Sequence, residues 1–232
     1  MKTRIIQDEP EAETFDPPGA GVSEPTPSRT LLRRAFVATA VVGYFILGIV
    51  HPASIEVGDN TTLYLWIHLF QPVLILLLAW SIWLLVEDLP GRAAQIARIA
   101  IVPYAIVYSM FDALAGVGLG QVIHQANAMN PADAAAVQRL LDDSGTDYIG
   151  MGLWIASGLA WFVMAFAAAL AVKPLAGRGP TLLMAIGAAI FAIAHPFPTG
   201  PIGIALFGLG FAWLELRRDR AAVGEAQPVL VP

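Results

Sequence analysis

Six long apolar stretches constrain the fold of this chain more than any other feature. A transmembrane α-helix needs roughly 20 predominantly apolar residues to cross the hydrocarbon core of a bilayer. Of the 232 residues, 57% are hydrophobic and only 13% are charged, whereas a soluble domain carries about 25% charged residues. The sequence therefore predicts an all-α integral membrane protein, a bundle of six transmembrane helices. We place these helices at about residues 33–51, 63–86, 97–124, 148–172, 180–196 and 200–216.

The polar segments on either side predict two cytoplasmic tails around one transmembrane domain. Residues 1–30 are rich in Pro, Glu and Gly and offer little apolar surface to bury, so we expect them to be disordered. The transmembrane domain then covers 31–217, and 218–232 forms the C-terminal tail. A five-helix alternative would join 180–216 into one broken helix, but two prolines beside a glycine in HPFPTG favour a tight hairpin of two helices.

The distribution of basic residues predicts the orientation. Cytoplasmic loops of membrane proteins collect Lys and Arg. With six spans and a cytoplasmic N-terminus, Arg139 is the only basic residue in a predicted outer loop. The others lie in the predicted inner segments: Lys2, Arg4, Arg29, Arg33, Arg34, Arg92, Arg98, Lys173, Arg178, Arg217, Arg218 and Arg220. We therefore predict an inner cell membrane protein with both termini cytoplasmic, and the Ala- and Arg-rich composition suggests a bacterial source.

The largest predicted outer loop, residues 125–147, carries the signals of a short helix. Asn130 can cap this helix, Pro131 suits its first position, and Asp133 favours its positive N-terminal end. Apolar residues then share one face, and Gly145 ends the helix. We expect a helix that lies on the outer surface and covers any cavity that opens on that side.

All four histidines fall near the predicted outer ends of helices. His51, His124 and His195 end the three outward-running helices. His68 lies only about 8 Å inside the second helix at 1.5 Å per residue. Imidazole is a good ligand of Zn, Cu and Fe, so the four residues are candidate ligands of a divalent metal or haem. Two alternatives stay open: a proton-linked role, and interfacial histidines that need no function.

Asp112 is the one acidic residue deep inside a predicted span. Such an acid costs about 2.5–3.5 kcal/mol, so it should face the bundle interior and have a partner. No Lys or Arg lies at its depth, but Gln71 and Ser157 do, and Tyr108 shares its helix face. We predict an intramembrane polar path around Asp112, with Gln71 and His68 facing the same cavity. A purely structural hydrogen bond between two helices is the alternative.

Small and aromatic residues near this path have two interpretations each. Gly116 and Gly120 lie one and two turns outward of Asp112. Glycines spaced by four let a neighbouring helix approach closely, or they leave room for a ligand at the depth of His68. The Trp and Tyr residues at 63–66, 148 and 154 predict an interfacial aromatic belt rather than a binding cage.

These features leave two classes of function open. The first is a metal- or haem-binding protein, redox or hydrolytic, that uses the four histidines. The second is a small transporter or accessory membrane subunit with the polar path around Asp112. The sequence contains no HExxH, CxxC or GxSxG motif that would select an enzyme class. The absence of cysteine excludes thiolate metal sites. The sequence also has no basic patch of the kind that binds nucleic acid. The predicted partners are the lipid bilayer and further copies or subunits of a membrane complex.

Overall fold

The computed structural model describes residues 27–52, 54–144, 148–193 and 198–225, and within these ranges the fold is all-helical, without a β-strand. The helices are α1 (Pro27–Val50), α2 (Thr61–Val86), α3 (Arg92–Phe111), a π-helical segment (Asp112–Gly118), α4 (Leu119–Ala126), α5 (Pro131–Ser144), α6 (Tyr148–Ala171), α7 (Lys173–Ala176), α8 (Arg178–Ile193) and α9 (Thr199–Glu225). The three elements between Arg92 and Ala126 follow one another without a break and are called the α3–α4 helix below. The predicted tails are 1–30 and 218–232. Of these, residues 1–26 and 226–232 lie outside the described part of the chain, whereas 27–30 and 218–225 are helical.

Five of the described helices are long and apolar enough to cross a membrane: α1, α2, the α3–α4 helix, α6 and α9. The predicted fifth span corresponds to α8, which is apolar but has 16 residues, about 24 Å at 1.5 Å per residue. Large apolar side chains such as Leu76, Trp80 and Val102 are more than half exposed on the outside of the bundle. In water such a surface would be unfavourable, so the helices have the architecture of a membrane protein that is surrounded by lipid.

The long helices and α8 pack side by side in a closed ring. Their order is α1, α2, the α3–α4 helix, α6, α8 and α9, and α9 returns to α1. Neighbours run antiparallel, as α1 and α2 illustrate: Arg29 pairs with Glu87 at one end, and His51 contacts His68 at the other. The short connections in the sequence favour this up-and-down arrangement.

α8 and α9 are two separate helices, as the hairpin prediction expects. Glycines allow them to approach closely: Gly210 lies against the backbone of Pro180, and Gly187 lies against the backbone of Phe207. A Cβ at Gly187 would come within 2.4 Å of the Phe207 nitrogen, so a larger residue would force the helices apart. The connecting residues 194–197, which include His195, lie outside the described part of the chain.

An aromatic cluster fills the centre of the ring. Trp161 is fully buried, and its ring centroid lies 5.0 Å from that of Phe191, 5.5 Å from Phe207 and 5.7 Å from Tyr104. Its indole Nε1 donates to the Ala188 carbonyl group at 2.9 Å, which satisfies a buried donor. These contacts tie four helices together, so the middle of the ring is packed.

The two ends of the bundle differ in charge. The end called the arginine-rich end carries the basic residues Arg29, Arg33, Arg34, Arg92, Arg98, Lys173, Arg178, Arg217 and Arg218. The opposite end, called the histidine end, holds His51 and His124, and Arg139 is the one Lys or Arg there among the described residues. The helix predicted after Asn130 is present at this end as α5, and its Gln138 side chain accepts the Val57 N–H at 2.8 Å.

A buried ion cluster joins α1 to α9 at the arginine-rich end. Glu215 accepts hydrogen bonds from Arg33 at 2.7 and 2.8 Å and from Arg34 Nε at 2.8 Å, and Arg218 lies 3.3 Å away. Arg34 also donates to Asp219 at 2.6 Å. The Arg33 and Glu215 side chains are only 6% and 7% exposed. Removing one member of such a buried pair leaves an uncompensated charge, so the cluster holds the two helices together.

Candidate functional site

His68 and Asp112 form a buried pair between α2 and the π-helical segment. His68 Nδ1 lies 2.7 Å from Asp112 Oδ1, a short hydrogen bond. The two residues are 3% and 1% exposed. α2 runs antiparallel to the α3–α4 helix, which brings His68, the eighth residue of α2, level with Asp112, 14 positions before Ala126. Asp112 therefore has a partner inside the bundle, as its position in a membrane span requires.

The α3–α4 helix changes its winding at this pair. Its π-helical segment begins at Asp112. π-helical turns are rare in proteins, and those that exist are frequently found at functional sites. Tyr64 of α2 donates its hydroxyl hydrogen to the Ala115 carbonyl group at 2.7 Å. A neighbouring helix thus supplies a hydrogen-bond donor to the altered turn, which stabilises it in place.

Gly116 provides the space that the His68 ring occupies. A Cβ at Gly116 would lie 2.2 Å from His68 Cγ and Nδ1, and a Cβ at Gly120 would lie 2.8 Å from Leu65 Cδ2. Both glycines therefore serve close packing of α2 against the α3–α4 helix. The space beside Gly116 that the sequence left open to a ligand is filled by the histidine itself.

His51 extends the pair to the histidine end of the bundle. Its Nε2 lies 3.1 Å from His68 Nε2, and its Nδ1 lies 2.6 Å from the Pro52 carbonyl oxygen. The ring is half-buried beside Tyr64. Burial lowers the pKa of His51 to about 4, although the hydrogen bond to Pro52 acts in the opposite direction. His51, His68 and Asp112 are called the His–His–Asp triad below.

The hydrogen-bond partners determine where the protons of the triad lie. A carbonyl oxygen can only accept a hydrogen bond. His51 Nδ1 therefore carries a hydrogen and donates a hydrogen bond to the Pro52 carbonyl oxygen. Because His51 is neutral near pH 7, its Nε2 accepts from the Nε2–H of His68. His68 Nδ1 and Asp112 Oδ1 then share one proton, either on a neutral acid or on an imidazolium beside a carboxylate. In both states the pair is neutral, which explains why Asp112 needs no Lys or Arg.

Three buried tyrosines continue the polar lining from Asp112 toward the middle of the bundle. Tyr108, which the sequence predicts on this helix face, and Tyr104 precede Asp112 at steps of four, and both are buried. Tyr44 of α1 is buried as well, and the ring centroids of Tyr104 and Tyr108 lie 5.5 Å apart. Asp112 Oδ2 is buried and has no hydrogen-bond partner among the described residues. The hydrogen-bonded triad therefore ends at Asp112, where the tyrosine lining begins.

The two partners that the sequence suggests for Asp112 do not hydrogen-bond to it in the structure. The Ser157 hydroxyl donates to the Trp154 carbonyl group of its own helix at 2.8 Å. Gln71 is buried, and its Nε2 has no hydrogen-bond partner within the described ranges. The Asp112 carboxyl group is instead hydrogen-bonded to His68, which lies one turn away from Gln71 on α2. The register between the two helices, which depth alone does not reveal, decides this pairing.

The structure brings two of the four predicted metal ligands together. His51 and His68 meet, whereas His124 is exposed and its Nδ1 lies 3.0 Å from Thr61 Oγ1. His195 belongs to the residues that are not described. No group of three or more His, Cys, Asp or Glu side chains in the described part is arranged to hold a metal ion. The described residues thus offer a pair of imidazoles rather than a complete metal site.

Sequence reasoning missed the contribution of Tyr64. The aromatic-belt prediction placed it at the lipid interface, but it is 6% exposed and faces His51, His68 and the π-helical segment. Its neighbour Trp66 is 55% exposed, as a belt residue should be. The available signal was the four-residue spacing from Tyr64 to His68, which puts both side chains on one helix face.

Comparisons with protein-family models, with curated proteins and with solved structures find no match to this chain. A functional interpretation therefore has to come from the chemistry of the site. The feature with the clearest chemistry is the series of titratable groups that runs from the histidine end into the bundle.

Proposed function

We propose that this chain is a proton-linked multi-pass membrane protein, a small transporter or accessory subunit, in which the His–His–Asp triad moves protons between the histidine end and the membrane interior. The observation that carries the proposal is the uninterrupted series of three titratable side chains, joined at 3.1 and 2.7 Å. Protons transfer along hydrogen bonds of this length. Acids and histidines inside membrane spans are typical of proton relays in pumps and transporters.

The hydrogen-bond directions allow a balanced transfer. When the Asp112 Oδ1 proton moves to His68 Nδ1, the His68 Nε2 proton moves to His51 Nε2, and His51 becomes an imidazolium. It then loses its Nδ1 proton to water at the histidine end. One proton has left Asp112, one has left His51, and both imidazoles are neutral again. Binding of a proton at His51 Nδ1 reverses each step.

The orientation is part of the proposal. We propose six spans, with α8 as the fifth, both termini in the cytoplasm of the inner cell membrane, and the histidine end outside. The support is the concentration of basic residues at the opposite end. Because the native chain has no cysteine, Arg139→Cys and Arg92→Cys variants can be labelled with a membrane-impermeant maleimide. Labelling of Arg139→Cys from the cytoplasmic side alone would contradict the orientation.

Proton flux through reconstituted vesicles tests the relay. Vesicles that contain the full chain and a trapped pH-sensitive dye receive an acid pulse, with the membrane potential clamped by an ionophore. We propose that the proton continues from Asp112 past the buried tyrosines to the opposite end. We therefore expect flux well above that of protein-free vesicles, and a loss of at least about tenfold in Asp112→Asn, whose amide keeps the size but cannot carry the proton. Ser81→Ala is the matched control, since Ser81 is buried in α2 but bonds to the Leu77 carbonyl group. Equal flux in wild type and Asp112→Asn would refute the relay.

A metal ion held by His51 and His68 is a second candidate. Each imidazole binds an oxygen acceptor through Nδ1 and directs Nε2 at the other ring, an orientation typical of histidines that ligate metals. The Nε2 separation of 3.1 Å is close to the roughly 3.3 Å expected for two ligands at 2.0–2.1 Å around a tetrahedral ion. Two histidines that ligate a haem iron lie on opposite sides of the ion, roughly 4 Å apart at that bond length. The observed separation is shorter, so Zn²⁺ or copper fits this pair better than haem.

Metal analysis of the purified protein separates the two candidates. If the pair holds a metal, one equivalent of Zn²⁺ or copper should remain bound after dialysis and be lost in both His51→Ala and His68→Ala. His124→Ala should keep it, because His124 lies apart from the pair. A metal-free wild-type protein that still conducts protons would leave the relay as the function.

A further inference from the structure

A groove of about 410 Å³ runs along the outside of the bundle between α1 and α9. Its walls are apolar and include Val42, Gly208 and Ala212. Three charged residues, Arg34, Glu215 and Asp219, line it only toward the arginine-rich end. The groove therefore has the character of an amphiphile site, apolar along its length and charged at one end.

The length of the groove matches one leaflet of a bilayer. Along α9 it extends from Gly208 to Asp219, about 16 Å at 1.5 Å per residue. Half of the roughly 30 Å hydrocarbon core is about 15 Å. An acyl chain whose headgroup lies at the arginine-rich end would thus follow the groove to the middle of the membrane.

Among the described residues that line the groove, the charged end presents one accessible cation and one accessible anion. Glu215 is 7% exposed and is engaged by the guanidinium groups of Arg33 and Arg34, with Arg218 close by. Arg34 and Asp219 are 37% and 55% exposed and lie 2.6 Å apart. The cluster contains three arginines against two carboxylates, so an anionic phosphate beside Arg34 is favoured. The exposed Asp219 carboxylate is an acceptor for a cation that carries N–H groups.

We propose that this groove binds a phospholipid whose headgroup combines a phosphate with a primary ammonium, as in phosphatidylethanolamine. The acyl chain lies along the apolar walls, the phosphate binds Arg34, and the ammonium donates to Asp219. A choline headgroup has no N–H to donate, and a glycerol headgroup has no cation. The charge pattern therefore favours a headgroup with a primary ammonium, such as ethanolamine, over choline and glycerol headgroups on the same acyl chains.

Native mass spectrometry of the detergent-solubilised full chain tests this site. The protein is titrated with phosphatidylethanolamine, phosphatidylcholine and phosphatidylglycerol of identical acyl composition. We expect one ethanolamine lipid to bind at least about tenfold more tightly than either of the others. Asp219→Asn should remove the preference over choline, and Ala212→Phe should fill the groove and abolish binding. Ala189→Phe, an equally exposed alanine on α8, is the control and should bind as wild type does.

Three results would overturn the proposal. Equal affinity for the three lipids would mean that the groove has no headgroup selectivity. Unchanged binding in Ala212→Phe would mean that the lipid lies elsewhere. A dimer mass that Ala212→Phe converts to a monomer would mean that a second copy covers the groove. Because Ala212 and Asp219 are exposed, both variants should fold, and their melting temperatures check this.

Discussion

Replacing Gly116 with alanine tests whether close packing of α2 against the π-helical segment holds the triad together. The new Cβ would lie 2.2 Å from Cγ and Nδ1 of His68 and 2.8 Å from its Cβ. Non-bonded atoms do not approach so closely, and the short distance to the His68 Cβ means that rotating the ring does not relieve the clash. α2 must therefore shift, and His68 Nδ1 must move away from Asp112.

The expected loss of stability follows from three effects. Overpacking a well-packed interior costs about 1–3 kcal/mol, and breaking a buried charged pair costs about 3–5 kcal/mol. Replacing a glycine inside a helix with alanine returns about 1 kcal/mol. We expect a net destabilisation of about 3 kcal/mol or more for Gly116→Ala, a decrease in melting temperature of at least about 6–12 °C for a chain of this size.

Thermal unfolding in detergent, followed by tryptophan fluorescence, measures this change. Gly152→Ala is the matched control, because Gly152 lies inside α6 and a Cβ there would meet no atom within 4 Å. It should melt at the wild-type temperature or slightly above. NMR of ¹⁵N-labelled histidine reports whether His68 keeps its hydrogen bond to Asp112. A Gly116→Ala protein that melts with the control and retains this hydrogen bond would refute the packing argument.

Three further variants probe other contacts of the bundle. Tyr64→Phe removes the donor to the π-helical segment and should cost about 1–2 kcal/mol, with a changed His68 resonance as the sign that the segment has rewound. Burial lowers the pKa of His51 from 6.5 to about 4, so the unfolded state takes up a proton first as the pH falls. The free energy of unfolding should then decrease by up to about 3 kcal/mol between pH 6.5 and 4, and His51→Gln should flatten this dependence in melts at successive pH values. Glu215→Gln leaves Arg33 buried without its counter-ion and should cost about 3–5 kcal/mol, whereas the exposed Asp88→Asn control should change the melting temperature by no more than about 2 °C.

The sequence by itself determined the protein class and the position of most helices. Block length, composition and capping are local properties, so no knowledge of the folded state was needed. The second span, predicted at 63–86, is α2 at Thr61–Val86. The surface helix predicted from its Asn130 cap is α5, and the Asn130 side chain accepts the N–H groups of Ala132 and Asp133. Depth along each helix also follows from the sequence, so His68 and Asp112 are candidate residues before the fold is known.

Only the tertiary structure decided which of these polar groups meet. The sequence offered Gln71 and Ser157 to Asp112 because helix rise gives depth alone, whereas a hydrogen bond also depends on rotation and register between helices. Three residues, about 4.5 Å of rise, separate Gln71 from His68, and the packing of α2 onto Gly116 selects His68. Contacts between residues 44 positions apart depend on how whole helix faces fit together, because every interhelical contact must be satisfied at the same time.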